Sequence, residues 1–334
     1  MKKSLIFIAL AAFILAGCTT KRQYFKPAEE QIAPQKLATA SLPDDIHYAT
    51  RSGATLDNGG LVTRAGLAQG VKLDKNTMFL GDFDGKYLVS NLNGDFKITQ
   101  NGDTLWEHKF PCAIVAATLE DNYLAAVDSS NKIHLIDLAS DTTIIEYASG
   151  TPYGMDARTA APVFLSSIIV YPTLDGKVMI VDKNQGRILR DAVVSSESFF
   201  NNVVFLDVKG DKLFAATLSK LIMISPDKTE YYDGDIKDIT LVGDRVYILL
   251  KDGNIEITDL NLKSLRKKEF KYAIFSNIIP KGDKLYIFEK TGYAIVTDLD
   301  LNNETIIKLD DEIDSKTFAG QNALYYGNKI IKID

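Results

Sequence analysis

Ile168-Ile-Val-Tyr-Pro-Thr-Leu174, Asp175-Gly-Lys177 and Val178-Met-Ile-Val-Asp182 follow one another without a gap. Two apolar, β-branched runs therefore flank an Asp-Gly pair. Glycine adopts a positive φ angle without steric cost, so this pattern predicts a β-hairpin. Similar hairpin patterns occur at residues 123–137, 245–259 and 284–298. The chain thus repeats one β-hairpin unit along its length.

The repeat has the length of a propeller blade. A turn residue precedes the third predicted strand of each unit, and successive turn residues lie 34–45 positions apart. These residues are Gly94, Asn131, Gly176, Ser219, Gly253, Gly292 and Asn328. Four short strands in about 40 residues are typical of a blade, so we predict an all-β fold, a β-propeller of seven four-stranded blades. Eight blades are the alternative, which needs residues 46–80 to supply most of a further blade.

The last unit lacks a fourth strand. Residues 329–334 form its predicted third strand, after which the sequence ends. An open blade would leave a strand edge unpaired, so we expect an N-terminal strand to close the ring. We predict that residues within 46–64 pair beside residues 329–334, and that deleting residues 1–64 destabilises the domain.

The N-terminus has the pattern of a secretory signal. Lys2 and Lys3 precede an apolar run at residues 5–15, which is shorter than the roughly 20 residues needed to cross a bilayer. The run ends in Leu15-Ala16-Gly17-Cys18, which resembles the lipobox of bacterial lipoproteins. The resemblance implies cleavage after residue 17, a diacylglyceryl thioether on the Cys18 sulfur and an N-acyl chain, with palmitate as the expected acyl group. A plain secretory peptide is the alternative.

The predicted domains follow from this N-terminus. We expect a signal peptide at residues 1–17, the lipidated Cys18 with a flexible tether at residues 18–45, and a propeller at residues 46–334. The tether segment is polar, contains three prolines and has no clear hydrophobic periodicity. The residue after the cysteine, Thr19, favours the outer membrane under the sorting rule of enterobacterial lipoproteins.

Composition and motifs argue against several functions. The formal net charge of −6 disfavours non-specific nucleic-acid binding. The three histidines, His47, His108 and His134, are not at metal-ligand spacing, and we expect no metal site. There is no phosphate-binding Gly-Lys-Ser/Thr loop, nucleophile elbow or Cys-x-x-Cys pair. We interpret Cys112, in an apolar run, as a buried small side chain.

Some recurring or clustered residues have a structural and a functional interpretation. An aspartate ends the third strand of five units, and we expect each one to begin a turn through its carboxylate. These residues are Asp137, Asp182, Asp259, Asp298 and Asp334. The basic run 263–268 fits a solvated strand face or a contact with an acidic partner or anionic lipid. Tyr231-Tyr232 and Phe199-Phe200-Asn201-Asn202 fit packing or partner contacts.

The lipobox, the tether and blades such as Val246-Tyr-Ile-Leu-Leu-Lys-Asp-Gly-Asn-Ile-Glu-Ile-Thr-Asp259 together resemble the quinoprotein-like propeller lipoproteins. The best-known member of that family is the accessory propeller lipoprotein of the outer-membrane β-barrel assembly machinery. Catalytic quinoproteins carry a docking tryptophan in most blades, whereas this chain has only Trp106. We therefore expect no bound quinone or other cofactor and no enzymatic activity.

The resemblance favours a non-enzymatic scaffold that binds other proteins in the periplasm, anchored by lipid to the outer membrane and acting in outer-membrane protein assembly. An envelope-complex subunit or surface adhesin is the first alternative. A propeller that binds or transforms a small molecule in its central channel is the second.

Overall fold

Short apolar strands joined by glycine-containing turns fold into eight antiparallel sheets in the computed structural model, which describes residues 23–74 and 76–333. Each sheet contains four strands in meander order, and one sheet carries a fifth strand. This confirms the predicted β-propeller. The blade number is eight, the alternative, and not the preferred seven.

Blades are numbered in chain order, with the innermost strand first. Blade 1 comprises β3 Ile46–Ala49, β4 Gly53–Leu56, β5 Leu61–Thr63 and β6 Gly66–Ala68. Blade 2 comprises β7 Thr77–Phe83, β8 Lys86–Asn91, β9 Asp95–Gln100 and β10 Asp103–Lys109. Blade 3 comprises β11 Ile114–Glu120, β12 Tyr123–Asp128, β13 Lys132–Asp137 and β14 Thr142–Ala148. Blade 4 comprises β15 Val163–Leu165, β16 Ile168–Pro172, β17 Lys177–Asp182 and β18 Ile188–Val193.

The second half of the ring follows the same order. Blade 5 comprises β19 Phe205–Lys209, β20 Lys212–Ala216, β21 Lys220–Ile224 and β22 Thr229–Asp233. Blade 6 comprises β23 Ile236–Val242, β24 Arg245–Leu250, β25 Asn254–Asp259 and β26 Ser264–Glu269. Blade 7 comprises β27 Phe275–Lys281, β28 Lys284–Glu289, β29 Tyr293–Asp298 and β30 Thr305–Lys308. Blade 8 contains β31 Thr317–Ala319, β32 Ala323–Tyr326 and β33 Lys329–Lys332.

The hydrophobic core consists of separate clusters, which lie between neighbouring blades. Middle strands such as β25 bury successive residues on both faces, whereas outer strands such as β26 are mostly exposed. The buried apolar residues form eight clusters, and each cluster joins two adjacent blades. One of them joins blade 8 to blade 1 through residues such as Phe318, Tyr325 and Val62. The blade contacts therefore continue around the whole ring.

The seven predicted turn residues all precede a third strand as expected, and the blade that the count missed is blade 1. Its strands contain only three or four residues each, and Gly53 and Gly66 lie within them. Glycine and short strand length both weaken a sequence-based strand signal. Gly53 is required by close packing, because a Cβ there would lie 2.4 Å from the carbonyl oxygen of Val62.

An N-terminal strand closes the ring, as predicted, but it comes from an earlier segment. Strand β2, Thr39–Ser41, pairs antiparallel with β33 and supplies the fourth strand of blade 8. The prediction that residues 46–64 do this is wrong, because those residues form blade 1. Strand β1, Ile32–Ala33, follows a 3₁₀ turn at Glu29–Gln31 and pairs parallel with β30 as the fifth strand of blade 7.

The N-terminal boundary of the propeller consequently lies before residue 46. Within the segment predicted to be a tether, β1 and β2 are paired with the ring and Phe25 is buried. The Phe25 ring makes edge contacts with Phe270 of blade 6 and Tyr293 of blade 7, at centroid distances of 6.4 and 5.6 Å. The chain from residue 25 to residue 42 thus spans three blades.

Alternating strand direction places the loops on two faces. The connections between consecutive blades and the turn between the second and third strands lie on one face, which we call the upper face. Within the described residues there is no helix with the length and apolarity needed to cross a membrane.

Candidate functional site

Two long loops on the upper face expose a group of apolar side chains. Residues 149–162 connect blade 3 to blade 4, and residues 194–204 connect blade 4 to blade 5. We call them the aromatic loops. Tyr153, Phe199 and Phe200 are exposed to 62%, 70% and 61%, and Met155 is also exposed. The rings of Tyr153 and Phe199 contact edge to face at 6.1 Å.

The two loops are joined by their backbones. The N–H of Phe200 donates to the carbonyl oxygen of Tyr153 at 3.1 Å. Asn202 is fully buried, and its side-chain amide donates to the carbonyl oxygens of Gly154 and Leu174, at 3.1 and 2.9 Å. A buried amide with its hydrogen bonds satisfied holds loops rigidly, so the exposed rings stand on a fixed support.

Asp175 anchors the first loop from the turn of blade 4. Its carboxylate accepts hydrogen bonds from the Ser149 hydroxyl, the Gly150 N–H and the Asn131 side-chain amide, at 3.0, 3.1 and 2.8 Å. Burial pushes the pKa of Asp175 upward, but hydrogen bonds from Thr173, Asn131 and Lys177 outweigh burial and lower that pKa to about 2. Asp175 is therefore a charged anchor at neutral pH.

A cavity of about 860 Å³ occupies the central channel. Its wall is formed mainly by the innermost strands of blades 1, 5, 6, 7 and 8 and by residues 156–158 of the first aromatic loop. Arg51, from blade 1, crosses the channel: its guanidinium donates to the Ile239 carbonyl oxygen at 3.5 Å and lies 3.9 Å from the Asp238 carboxylate of blade 6. The same guanidinium lies 5.1 Å from the Phe205 ring centroid.

The first aromatic loop also contributes an ion pair to the channel mouth. Arg158 makes two hydrogen bonds to the Asp156 carboxylate, at 3.0 and 2.7 Å. Burial acts to raise the pKa of Asp156, but the hydrogen bonds and the positive charge of Arg158 together lower it by more, so the net shift is downward. One loop thus presents an exposed tyrosine outward and an arginine–aspartate pair toward the channel.

The predicted aspartate turns are confirmed wherever the structure describes them. Asp137, Asp182, Asp259 and Asp298 each accept a hydrogen bond at Oδ1 from the N–H two residues later, at 2.8–3.0 Å. This is the geometry of an Asx turn. These carboxylates belong to four separate blades and do not form one site. Asp334 lies outside the described residues, as do Cys18 and the lipobox residues Leu15, Ala16 and Gly17.

The histidines have individual partners instead of a common ligand. Nδ1 of His47 lies 2.6 Å from Asp57, and Nε2 of His134 lies 3.0 Å from the buried Asp128. His108 stacks on Trp106. Across residues 23–74 and 76–333, no group of three histidine, cysteine or acidic side chains is placed to bind a metal ion.

The remaining candidate residues separate into packing and exposed groups. The basic run 263–268 enters the exposed outer strand β26, where Arg266 donates to the Asn302 side chain at 2.8 Å. Tyr232 donates to Glu256 at 2.9 Å, and its neighbour Tyr231 is exposed. The interpretation of Cys112 as a buried side chain is wrong: it is a free thiol that is only partly buried, in the connection between β10 and β11.

Of the residues in this region, the sequence predicted Phe199 and Phe200 as candidates, whereas Tyr153, Met155 and the charged channel were not predicted. A signal for the first two exists in Gly150-Thr-Pro-Tyr-Gly-Met-Asp156, where large apolar side chains stand between loop-forming residues. The channel residues come from distant positions in the sequence, and no local pattern connects them.

Comparison with known proteins gives two distant relatives by sequence. No protein-family model matches the chain. The plasminogen-binding protein PgbB of Helicobacter pylori strain J99 is 26% identical over 324 residues, which cover 84% of this chain and 60% of that protein. PgbB of strain 26695 is 27% identical over 310 residues, covering 79% and 57%. The chain therefore spans about 60% of the length of these relatives.

Solved structures support the fold. BamB from Moraxella catarrhalis superimposes with a TM-score of 0.68 at 16% identity, covering 89% of this chain and 98% of that chain. The C-terminal WD40 domain of Sif2 gives a TM-score of 0.67 at 14% identity, covering 90% and 99%. The fold expected from the resemblance to propeller lipoproteins is confirmed. At these identities the likeness concerns the fold alone.

Proposed function

We propose that this protein is a non-enzymatic scaffold of the cell envelope that binds another protein through the aromatic loops. The observation that carries the proposal is the exposure of Tyr153, Phe199 and Phe200 on two joined, well-anchored loops. Large apolar side chains cost free energy when they face water, and grouped exposed aromatics are typical of protein interfaces.

The rigid support of the loops favours binding further. Immobilising flexible side chains on association costs roughly 0.5–1.5 kcal/mol each, and a pre-organised loop avoids much of this cost. Asn202 and Asp175 hold the loops before any partner arrives. Tyrosine and phenylalanine also have few rotatable bonds, so they offer large contact area at low entropic cost.

The proposed location comes from the N-terminal sequence. The basic start, the apolar run and Leu15-Ala16-Gly17-Cys18 support lipidation of Cys18, and Thr19 supports the outer membrane. We propose an outer-membrane lipoprotein that faces the periplasm. Its ordered N-terminal segment then begins close to the anchor: Phe25 is seven residues after Cys18, at most about 25 Å of extended chain.

We propose the β-barrel assembly machinery as the complex that this scaffold joins, because the fold is shared with BamB. The alternatives are another envelope complex or a role as a surface adhesin. Affinity purification of the lipidated protein from its own membrane, after mild crosslinking, tests this choice. Recovery of the barrel-assembly core protein supports the proposal. Reproducible recovery of a different partner, without the barrel-assembly core protein, contradicts membership of this machinery.

Paired variants test the proposed surface. We expect Tyr153→Ser with Phe199→Ser to abolish co-purification of the partner without lowering the melting temperature, because both side chains are mostly exposed. The matched control is Tyr231→Ser with Leu265→Ser, which removes exposed apolar side chains from outer strands. Equal partner recovery with both pairs would rule out the aromatic loops as the docking surface.

A second candidate is plasminogen binding, which the two PgbB relatives favour because they match along most of this chain. Direct binding of purified plasminogen to immobilised chain tests it, with the same two variant pairs. Saturable binding that only the Tyr153→Ser, Phe199→Ser pair weakens would support this candidate. The absence of binding at micromolar plasminogen would exclude it.

A further inference from the structure

The channel cavity is positively charged although the chain is acidic overall. Six cationic and three acidic side chains line the cavity, which leaves a local surplus of positive charge in a protein of formal net charge −6. The cations are Arg51, Arg64, Arg158, Lys237, Lys290 and Lys316. A cavity wall of low dielectric strengthens the field of such charges.

The acidic side chains of the channel are already occupied. Asp156 receives both hydrogen bonds from Arg158, and Asp238 lies beside Arg51 and accepts the Ile278 N–H at 3.3 Å. Asp207, the third acid, accepts the N–H of the next residue at 2.8 Å. Among the described residues, none of the three carboxylates makes a direct hydrogen bond or ion pair with a lysine.

Lys237 and Lys290 lack such partners. In the described part of the chain, neither ammonium group makes a hydrogen bond or an ion pair. Burial lowers the pKa of Lys237 to about 8, the nearby Arg158 and Lys290 charges add to this effect, and the Asp238 and Asp156 charges offset it only in part. Lys237 is partly buried and Lys290 is exposed beside it. A partly buried ammonium group that no carboxylate contacts directly is unfavourable, so an anion near Lys237 would relieve repulsion already present in the free protein.

The two lysines lie on the same face as the aromatic loops. Lys237 is the second residue of β23, just after the connection from blade 5, and Lys290 begins the turn between β28 and β29. Both connections belong to the upper face. Arg158 follows Tyr153 by five residues, at most about 18 Å of chain. The aromatic side chains and the cationic channel mouth therefore lie on one face and are joined by the first aromatic loop, which carries both Tyr153 and Arg158.

We propose that the channel mouth receives an acidic segment of the protein that docks on the aromatic loops, with its carboxylates opposite Lys237 and Lys290. This inference rests on the proposed function and specifies the chemistry of the partner. Because one loop carries both Tyr153 and the channel-lining Arg158, a peptide that docks on the aromatic loops can extend into the channel mouth, which favours a peptide over a separate small anion. The surplus of positive charge at the channel mouth favours negatively charged side chains in the docking segment.

A labelled peptide of six glutamates is the probe, and its anisotropy on titration with the full chain, purified in detergent, measures binding. The matching peptide of six glutamines is the uncharged control. We expect the glutamate peptide to bind at low ionic strength and its affinity to fall as salt is added. We expect Lys237→Gln with Lys290→Gln to lower the affinity for the glutamate peptide roughly tenfold, because two charge contacts are lost.

Lys263→Gln with Lys267→Gln is the matched control, since both lysines are exposed at the rim and the change in net charge is the same. We expect a change of less than about twofold with this pair. Equal weakening by the two pairs would show non-specific attraction and overturn the proposal. Citrate and phosphate serve as small competing anions. If either displaces the peptide at a concentration of negative charge far below that of the peptide, the channel binds a small anion and the proposal is overturned.

Crosslinking of the partner to position 199 separates this inference from the proposed function. If that crosslink persists in the channel variant while the glutamate peptide fails to bind the unmodified protein, the acidic-segment inference fails and the docking function stands. If the crosslink is absent from the unmodified protein as well, the docking function itself fails.

Discussion

The N–H of Phe200 donates to the carbonyl oxygen of Tyr153, at 3.1 Å, and so joins the loops on either side of blade 4. Phe200 adopts a φ angle of +51°, a conformation that non-glycine residues rarely take. The loop fold therefore holds this residue against its local preference while its ring remains exposed. Ordinary turn residues such as Asp121 and Leu301 adopt the same φ range, so this conformation belongs to the tight loop geometry that presents the ring.

The N-terminal strands close the ring, and truncation measures their contribution. A chain beginning at residue 43 lacks β1, β2 and the buried Phe25 and Leu42. We expect its melting temperature to fall by roughly 10 °C or more relative to a chain beginning at residue 23, because each large side chain contributes about 1.5–3 kcal/mol when buried. Equal melting temperatures would contradict the closure.

A point variant isolates the aromatic part of this closure. Phe25→Ala should cost about 3 kcal/mol, since it empties the space between Phe270 and Tyr293. Lys26→Ala is the control, because the Lys26 side chain is exposed and should contribute little. Urea titration measures both, and a loss with Lys26→Ala as large as that with Phe25→Ala would count against the packing described.

Asp175 should make stability depend on acid pH. Its pKa is lowered in the folded chain, to about 2 from the usual 3.8, so its stabilising effect is complete above about pH 4 and is lost as the pH falls toward 2. We expect Asp175→Asn to cost about 2 kcal/mol at pH 7 and progressively less between pH 4 and pH 2. Melting curves of both proteins across that range provide the measurement, and a constant difference would contradict the assignment.

Lys237 should have the opposite effect. Its pKa is lowered to about 8, so below pH 8 the folded state carries the full cost of this charge, and the cost is relieved as the pH rises toward 10.5. We expect Lys237→Gln to stabilise the protein at pH 7 by about 1–2 kcal/mol, with the gain shrinking above pH 8. Chemical denaturation at pH 7 and pH 10 tests this, and destabilisation at pH 7 would refute it.

The sequence predicted the features that depend on local patterns. The hairpin at residues 168–182 forms β16 and β17, with Gly176 at a φ angle of +84° as the turn requires. A lone third strand at residues 329–334 also predicted ring closure correctly. In both cases the hydrophobic run and the turn residue lie within a few positions of each other.

The features that escaped prediction depend on distant contacts. The closing strand Thr39–Ser41 is only three residues long and contains no large apolar side chain, so the sequence carries no strand signal there. Its pairing with β33 depends on residues almost 300 positions away. Blade 1 has strands too short to show a period. The channel mouth joins Arg158 and Lys237 across blades, and only the closed ring brings such residues together.

The central claim is that the aromatic loops dock a protein in the envelope. A photo-crosslinking phenylalanine analogue at position 199, in the full chain expressed in its own cells, tests it most directly, with the same analogue at position 231 on the outer strand β22 as the control. We predict one discrete crosslinked species from position 199 that is absent from position 231. No crosslink from position 199, or the same species from both positions, would contradict the claim.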